Sequence, residues 1–452
     1  MMGPRQVDQA ALFYEFSLER HVPAAHLLRA IDRFVDLSDV RSHLAPFYGS
    51  TGRPSIDPEL LVRMLLVGYC YGIRSERRLC EEVHLNLAYR WFCRLGLGGE
   101  VPDHSTFSKN RHGRFRDCDL LRKLFENVVR RCMAEGLIDG AAFAVDASLI
   151  AADANKQRSA AGSDEVDWQA IGTRRSVREY LDTLDEAAWG AASETVPKFI
   201  SKSDPAAQWT GAHKGHAFFA YANNYLIDLK VAIIVDVEAT RAIRQAEVGA
   251  ARTMIERTEE RLELCPERLA ADSAYGSAEM LGWLVNERAI EPHIPVFDKS
   301  ARTDGTFARE DFAYDQQRDV YICPAGKVLT STGTLVNDGA TLLYRAVKHD
   351  CDACALKPRC CPKMPARKVP RSIHEKARDV ARDIAKTDAY VRSRRERKKI
   401  EMLFAHLKRI LRLDRLRLRG PLGARDEFLL AATAQNLRKL AKLIPIPALQ
   451  PT

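Results

Sequence analysis

Residues 141–146 have the sequence AAFAVD, a short apolar run that ends on an acidic residue. A run of this length and composition is typical of a buried β-strand. Asp146 is therefore predicted to follow a strand, at the edge where α/β folds place their binding sites. A second run of the same kind, RLAA at 268–271, is followed by Asp272. The two runs predict two buried strands that each deliver one carboxylate to that edge.

Segments with strand and helix patterns alternate around these two runs, which predicts a mixed α/β domain. Further strands are predicted at 218–221, 225–237 and 291–296, and helices at 247–262 and 278–285. Two stretches interrupt the alternation, one at 152–215 with a helix predicted from Arg175 to Trp189, and one at 297–375. The first stretch is polar, and the second holds five of the eleven cysteines. We interpret both as insertions into the α/β domain.

The chain before residue 125 is predicted to be mostly helical. An N-cap and proline pair at 57–58 opens one amphipathic helix, and Ser75 can cap a second. Asp103 can cap a third helix, whose exposed face would carry Lys109 and Arg111. Short helices that end in a polar and basic helix are typical of a helix-turn-helix DNA-binding domain. An ordinary helical bundle has the same composition, so composition leaves both alternatives open.

Composition excludes several classes of protein. Of the 452 residues, 46% are hydrophobic, which is too many for a globally disordered chain. The sequence has no uninterrupted apolar run of about 18 residues, so no membrane span is predicted. The N-terminus lacks the basic-then-apolar pattern of a signal peptide. We therefore expect a cytoplasmic protein, in which cysteines are thiols or metal ligands rather than disulfides.

The positive charge of the chain is concentrated in one segment. The whole chain has 69 Lys and Arg against 60 Asp and Glu, a formal net charge of +9. The segment 386–420 has 13 Lys and Arg against 4 Asp and Glu, which equals the whole excess. A solvated helix face would explain an ordinary charge run. The concentration here favours a polyanionic partner such as nucleic acid.

A third acid, Glu401, lies in this basic segment. It borders an apolar stripe with helical spacing, formed by Ile400, Leu403, Phe404, Leu407 and Leu411. Arg397 and Lys408 are predicted on the same helix face as Glu401, where they would meet phosphates. Three carboxylates from separate elements suit two Mg²⁺ or Mn²⁺ ions. Such ions lie about 3.5–4 Å apart and bind the attacking and leaving oxygens of a phosphodiester displacement. The alternatives are strand-end caps for the two aspartates and a helix salt bridge with Arg397 for Glu401.

The short sequence motifs around the three acids resemble those of a known family. VDAS at 145–148, ADSAYG at 271–276 and the spacing Arg397-x3-Glu401-x6-Lys408 occur in that order. Together they resemble the DDE transposases of bacterial insertion sequences, of the IS4-like superfamily and its branch named eleven-eighty-two. The sequence departs from the family in the last of these motifs, where Arg394 occupies the position of the family's tyrosine. The nearest tyrosine is Tyr390. Further stretches that resemble the family lie at 52–58, 71–78, 86–92, 102–107, 417–420 and 436–440.

This resemblance implies an α/β fold with a helical N-terminal DNA-binding domain and an RNase H-like catalytic core. Asp146, Asp272 and Glu401 would be the catalytic and metal-binding residues. The reaction would be cleavage at the ends of the element, followed by attack of the freed 3′ hydroxyl on target DNA. The partners would be double-stranded DNA, as terminal inverted repeats and target, and a second subunit in a homodimer or larger complex. A cytoplasmic, nucleoid-associated location follows from these partners.

The domain bounds and the DNA-binding residues complete this prediction. We expect a helix-turn-helix-like domain at 1–125, a catalytic domain at 140–296 and 376–445, and a cysteine-rich insertion at 297–375. The residues predicted to contact DNA or phosphate are Arg397, Lys408, Arg409, Lys109 and Arg111. Two other functions remain open, a catalytically silent domesticated transposase that regulates through DNA binding and a metal nuclease that cuts without joining.

Cysteine spacing predicts a structural zinc site in the insertion. Cys351-x2-Cys354-x5-Cys360 and the earlier Cys323 can supply four thiolates. Cys361 is an alternative to Cys360, and His349 is a further candidate. Reduced thiols without a metal are the other interpretation. The remaining cysteines, predicted to be small core hydrophobes, are Cys70, Cys80, Cys93, Cys118, Cys132 and Cys265.

A pair of histidines, His213-x2-His216, also has metal-ligand spacing. No third ligand lies nearby in the sequence, so a metal site is not favoured there. A substrate contact stays open for this loop, because it leads into a strand predicted to pair with the one that bears Asp146.

Overall fold

A computed structural model describes residues 16–49, 51, 55–168, 174–211, 215–298 and 302–445. The fold is mixed α/β with a helical N-terminal region, as predicted. Contacts divide the chain into two compact units. Unit 1 comprises the chain up to Asp139, residues 147–262 and the chain from Glu401, and unit 2 comprises residues 140–146 and 263–400. These units are drawn differently from the predicted domains, whose bounds stay predictions.

Helices fill the described N-terminal part of unit 1. They are α1 Leu18–His21, α2 Leu27–Asp32, α3 Val40–Leu44, α4 Pro58–Tyr71, α5 Glu76–Leu85, α6 Leu87–Phe92, α7 His104–His112 and α8 Leu120–Ala134. The three predicted caps are confirmed, since the side chains of Asp57, Ser75 and Asp103 each accept a hydrogen bond from a backbone N–H in the first turn. Helix α4 ends at Gly72, whose φ of +67° favours glycine.

The other elements of unit 1 are strands and longer helices. The strands are β2 Ser159–Ala161, β3 Phe199–Ser201, β4 Gln208–Gly211, β5 Ala217–Asp228 and β6 Ile233–Arg241. The helices are α9 Arg175–Asp182, α10 Arg244–Leu262 and α16 Pro421–Leu443. Strand β5 pairs antiparallel with β4 and with β6. Helix α9 is shorter than the helix predicted from Arg175 to Trp189.

The bounds predicted for the strands at 218–221 and 225–237 are wrong, because the structure divides this segment differently, into β5 and β6. The chain forms one strand to Asp228, reverses over 229–232, and returns as β6. Asp228 accepts a hydrogen bond from the backbone N–H of Lys230 at 2.8 Å, and Ala232 adopts a φ of +61°. The turn residues 229–232 are Leu, Lys, Val and Ala, without glycine or proline, so the hydrophobic pattern continues through the turn.

Helix α16 forms the core of unit 1, with most of its side chains buried against α2, α4, α8 and β6. Two of its amides extend the hydrogen bonding of the strands. Asn436 accepts from the backbone N–H of Ile234 at 3.0 Å and donates to its carbonyl oxygen at 2.8 Å. Gln435 accepts from the hydroxyl of Tyr225 at 2.9 Å. These contacts fix the register of the helix on the strands.

Unit 2 holds two groups of strands. Strand β1, Ala142–Ala151, begins in unit 2 and continues into unit 1, and it pairs parallel with β7, Arg268–Ala270. Strand β7 pairs parallel with β8, Glu291–His293. A five-stranded antiparallel sheet follows, made of β9 Ala313–Asp315, β10 Val320–Ile322, β11 Val328–Val336, β12 Thr341–Ala346 and β13 Lys368–Ser372. The stretch at 297–375 thus contains an antiparallel sheet of its own.

The helices of unit 2 are short except for the last. They are α11 Ala278–Gly282, α12 Lys348–Asp352, α13 Lys357–Cys360, α14 Glu375–Ile384 and α15 Asp388–Arg409, and α15 continues into unit 1. A π-helical turn at 283–287 follows α11, and β8 is shorter than the strand predicted at 291–296. Among the helices of the described residues, none is both long and apolar enough to span a membrane.

Candidate active site

The pairing of β1 with β7 brings together the chain segments that lead to the two predicted aspartates. Ala144 of β1 is paired in parallel register with Ala270 of β7. Asp146 and Asp272 each come two residues after that pair. Strand β7 ends at Ala270, so Asp272 lies beyond its end, whereas Asp146 is still within β1. Both aspartates thus follow the paired residues of the two strands within unit 2.

A tight turn orients the carboxylate of Asp272. Its Oδ1 accepts a hydrogen bond from the backbone N–H of Ala274 at 2.7 Å, which caps a short 3₁₀ helix at 273–275. Gly276 ends this turn against the backbone, because a Cβ atom there would lie 2.0 Å from the carbonyl oxygen of Pro295. The backbone N–H of Phe297 donates to the carbonyl of Gly276 at 2.8 Å. The glycine of the ADSAYG motif thus allows close packing of the backbone, which holds Asp272 in place.

Asp146 lies in the middle of β1 rather than at its carboxyl end, which corrects the prediction. The strand continues to Ala151 because the residues after Asp146 remain largely apolar and Ile150 is buried. Nη1 of Arg397 lies 3.1 Å from Oδ2 of Asp146, and both side chains are about one-fifth exposed. Arg397, predicted to contact phosphate, therefore forms an ion pair with one of the two acids.

Glu401 lies on α15 one helical turn after Arg397 and is exposed to solvent. The predicted apolar stripe is confirmed for Ile400, Phe404 and Leu407, which are buried. Phe404 stacks on Tyr225 with ring centroids 4.9 Å apart. Glu401 belongs to unit 1, and the geometry described for the two aspartates is that of unit 2.

The other predicted DNA-contacting residues differ in exposure. Lys408, Arg409 and Lys109 are exposed. Arg111 is only 6% exposed, and it lies 3.0 Å from a carboxylate oxygen of Glu76. Its Nη2 also donates to the hydroxyl of Tyr69 at 2.9 Å. The prediction that Arg111 lies on an exposed face is therefore wrong, because the buried side of α7 includes this position and α5 supplies a partner.

Sequence reasoning missed the role of Asp153. Its carboxylate lies 2.8 Å from a guanidinium nitrogen of Arg415 and 2.8 Å from one of Arg419. Both arginines belong to the basic segment 386–420, so part of its charge is neutralised within unit 1. The exposed cations of α15 before Glu401 are Arg392, Arg394, Arg395 and Lys398. A single acid in a polar stretch gave no signal that could have singled out Asp153.

The cysteines predicted to bind zinc come together in unit 2. Cys323, Cys351, Cys354, Cys360 and Cys361 line one cavity of about 20 Å³. In the described part of the chain, no three His, Cys, Asp or Glu side chains are already arranged around a single metal position. The prediction of small core hydrophobes agrees with the burial of Cys70, Cys80, Cys93 and Cys132, whereas Cys118 is half-buried and Cys265 is exposed. His213 lies outside the described residues, so the histidine pair is not described.

Two family models match the chain. Residues 16–113 match a transposase domain (DUF772), and residues 322–441 match a transposase DDE domain. These matches support a DDE transposase. The first covers the described helices α1 to α7, and the second covers the cysteine cavity and Glu401.

A search of solved structures gives a distant match to a cryo-EM structure of a piggyBac transposase synaptic complex with hairpin DNA. The identity is 11% and the TM-score is 0.34, over 94% of this chain and 83% of the other. Among curated proteins, no significant match was found.

Proposed function

We propose that this chain is a transposase that cuts DNA at the ends of an insertion sequence and joins the freed 3′ ends to target DNA. The observation that supports this proposal is the parallel pairing of β1 with β7, in which Ala144 and Ala270 are partners two residues before Asp146 and Asp272. The matched transposase domains supply the substrate class. An RNase H-like core and membership of the eleven-eighty-two branch are part of this proposal.

The carboxylates suit divalent cations with a preference for oxygen ligands. Asp146 and Asp272 are both partly exposed and each comes two residues after a paired position of β1 and β7. Glu401 is an exposed carboxylate one turn after Arg397. We propose that these three residues would hold two Mg²⁺ or Mn²⁺ ions. When bound, such ions activate water and stabilise the attacking and leaving oxygens of phosphoryl transfer.

The chain's own residues prepare the two acids for this role. The N–H of Ala274 fixes the rotation of the Asp272 carboxylate, so little ordering is left to do when DNA arrives. Arg397 compensates the charge of Asp146 at 3.1 Å. We propose that Arg397 turns to a phosphate oxygen when cations neutralise Asp146, because a guanidinium suits phosphate as well as carboxylate.

DNA binding would use the exposed cations of α15 together with Lys408 and Arg409. Contacts of this kind are made to phosphates, and they position DNA without reading its sequence. Recognition of terminal inverted repeats would fall to the N-terminal helices, with Lys109 as one contact. A homodimer or larger complex would hold the two ends of the element.

A strand-joining assay tests the proposal. A duplex from the DNA that flanks the gene, pre-cut to leave a 3′ hydroxyl, is incubated with plasmid and Mg²⁺, and joined product is measured. Asp146→Asn, Asp272→Asn and Glu401→Gln should each abolish joining, while binding of the duplex persists. Asp185→Asn changes an exposed acid and serves as the matched control.

Three outcomes would contradict the proposal. Cleavage without joining in the unsubstituted chain would indicate a nuclease. Specific binding with neither cleavage nor joining would indicate a regulator derived from a transposase. Full activity of any of the three acid variants would remove that acid from the site.

A further inference from the structure

One small cavity in unit 2 is lined by five thiols. Its volume is about 20 Å³, which is room for a single atom of the size of a water molecule. The lining cysteines come from three separate segments, which are Cys323 after β10, Cys351 and Cys354 around α12, and the pair Cys360–Cys361 at the end of α13. Convergence of thiols from three segments on a space of that size is what a metal centre requires.

Three of the five thiols interact with one another. The side chain of Cys361 interacts with those of Cys351 and Cys360. Cys351 and Cys361 are buried, and Cys323 and Cys360 also pack against an apolar cluster. That cluster consists of Phe312, Tyr321, Leu329, Tyr344 and Val369. The cysteines thus form a shared layer between the cavity and the small core of the five-stranded sheet.

A tight backbone turn holds Cys323 at the cavity. The N–H of Lys327 donates to Sγ of Cys323 at 3.3 Å. The turn is closed by the N–H of Cys323, which donates to the carbonyl of Lys327 at 2.9 Å, and by Gly326, whose φ is +75°. These hydrogen bonds fix the position of the Cys323 sulfur at the wall of the cavity.

Cations balance the charge that a thiolate site would create. Lys327, Lys357 and Arg367 all line the same cavity. Arg367 is buried and is fixed by hydrogen bonds to the carbonyl oxygens of Cys360 and Phe307, both at 2.8 Å. Asp350 also lines the cavity, so three cations and one carboxylate leave two net positive charges around it. Four thiolates around a divalent ion carry two net negative charges, which this lining would balance.

We propose that this cavity is a structural zinc site, with Cys323, Cys351 and Cys354 as ligands and the fourth ligand from the pair Cys360–Cys361. Four sulfur ligands in tetrahedral arrangement select zinc, at Zn–S distances of about 2.3 Å. The ligands share a cavity without standing at those distances, so metal binding would require their side chains to rotate. The ion ties the turn after β10 to the segment between β12 and β13, and so holds together a sheet with a small core.

Metal analysis of the full-length chain tests this site without DNA or catalysis. The chain, purified without chelators and under reducing conditions, should contain about one zinc per molecule. Cys351→Ser with Cys354→Ser should lose the zinc and lower the thermal midpoint. Cys265→Ser, which changes an exposed cysteine, should retain both. Single Cys360→Ser and Cys361→Ser variants identify the fourth ligand, since only one of them should lose zinc.

A spectroscopic test keeps the proposal falsifiable if the double variant does not fold. Exchange of the bound metal for Co²⁺ in the unsubstituted chain should give the intense thiolate charge-transfer and tetrahedral d–d bands of a four-sulfur site. Absence of zinc together with absence of these bands after Co²⁺ addition would overturn the proposal. A disulfide found among these cysteines under the same reducing conditions would do so as well.

Discussion

Asp204 is a carboxyl group buried in unit 1 without a cation at hydrogen-bond distance among the described residues. Oδ1 accepts hydrogen bonds from the hydroxyl of Tyr221 at 2.5 Å and from the N–H of Gly420 at 3.1 Å. Burial raises the pKa of Asp204 to about 7, against 3.8 for an exposed aspartate, although both hydrogen bonds lower it. In the folded state the carboxyl is therefore mainly neutral only below about pH 7.

The raised pKa of Asp204 predicts a pH-dependent stability of unit 1. A group whose pKa is raised by folding contributes stability that is complete below its unfolded pKa and is lost as pH rises through the folded value. The free energy of unfolding should therefore fall between about pH 4 and 7, by roughly 1.4 kcal/mol per unit of pKa shift. Asp204→Asn should flatten this slope in thermal midpoints measured across that range, and Asp185→Asn should leave it unchanged. If the pH dependence of the thermal midpoint were the same in Asp204→Asn as in the unsubstituted chain, Asp204 would not be its cause.

At the scale of elements, Glu427 joins α16 to two other parts of unit 1. Its buried carboxylate forms an ion pair with Arg74, in the turn between α4 and α5. It also accepts hydrogen bonds from the backbone N–H of Arg417 at 2.6 Å and from that of Leu418. Removal of one partner of a buried pair leaves an uncompensated charge, at a cost of about 3–5 kcal/mol. Arg74→Met should therefore lower the free energy of unfolding by that order in denaturant titrations.

A double-variant cycle separates the ion pair from simple loss of packing. Arg74→Met combined with Glu427→Gln should recover part of the stability lost in Arg74→Met alone, because no buried charge is left without its partner. Arg78→Met, on the exposed surface of α5, should have little effect. Additive losses in the double variant would show that the pair does not act as an ion pair.

Features encoded locally in the sequence were predictable, and features that depend on distant partners were not. The caps Asp57, Ser75 and Asp103 need only their own helix, and all three are confirmed. The strand runs before Asp146 and Asp272 were also predictable, because burial on both faces leaves a continuous apolar run. The burial of Arg111 depends on Glu76 of another helix, so spacing within α7 could not indicate it.

The candidate site shows the same division between local and distant information. The three acids could be selected from the sequence motifs around them. The register of β1 on β7 is a long-range property that only the structure gives. The pairing of Arg397 with Asp146 joins residues 251 positions apart. The cysteine cavity required both local and distant information. The sequence spacing identified its cysteines, and the fold brings the turn at Cys323 to the other cysteines.

At the scale of the whole molecule, the N-terminal helices are part of the core of unit 1. Helices α4 and α8 pack on α16, and the Arg74–Glu427 pair ties them to the C-terminal part of the chain. Removal of residues 16–113 would therefore expose the apolar faces of α16. DNA specificity is better tested by surface substitutions, such as Lys109→Gln, than by truncation of this region.

The distribution of charge over the molecule predicts how DNA binding responds to salt. The net charge of +9 equals the excess of the segment 386–420, whose exposed cations on α15 include Arg394 and Lys398. Each phosphate contact contributes about 0.9 to the slope of log affinity against log salt concentration. Arg394→Gln with Lys398→Gln should therefore reduce this slope by roughly two and weaken binding alike on specific and unrelated duplexes. Fluorescence anisotropy at several salt concentrations measures the slope, and Arg131→Gln, whose arginine pairs with Glu135 at 2.6 Å, is the control. An unchanged slope in the double variant would exclude this part of α15 as a phosphate-binding surface.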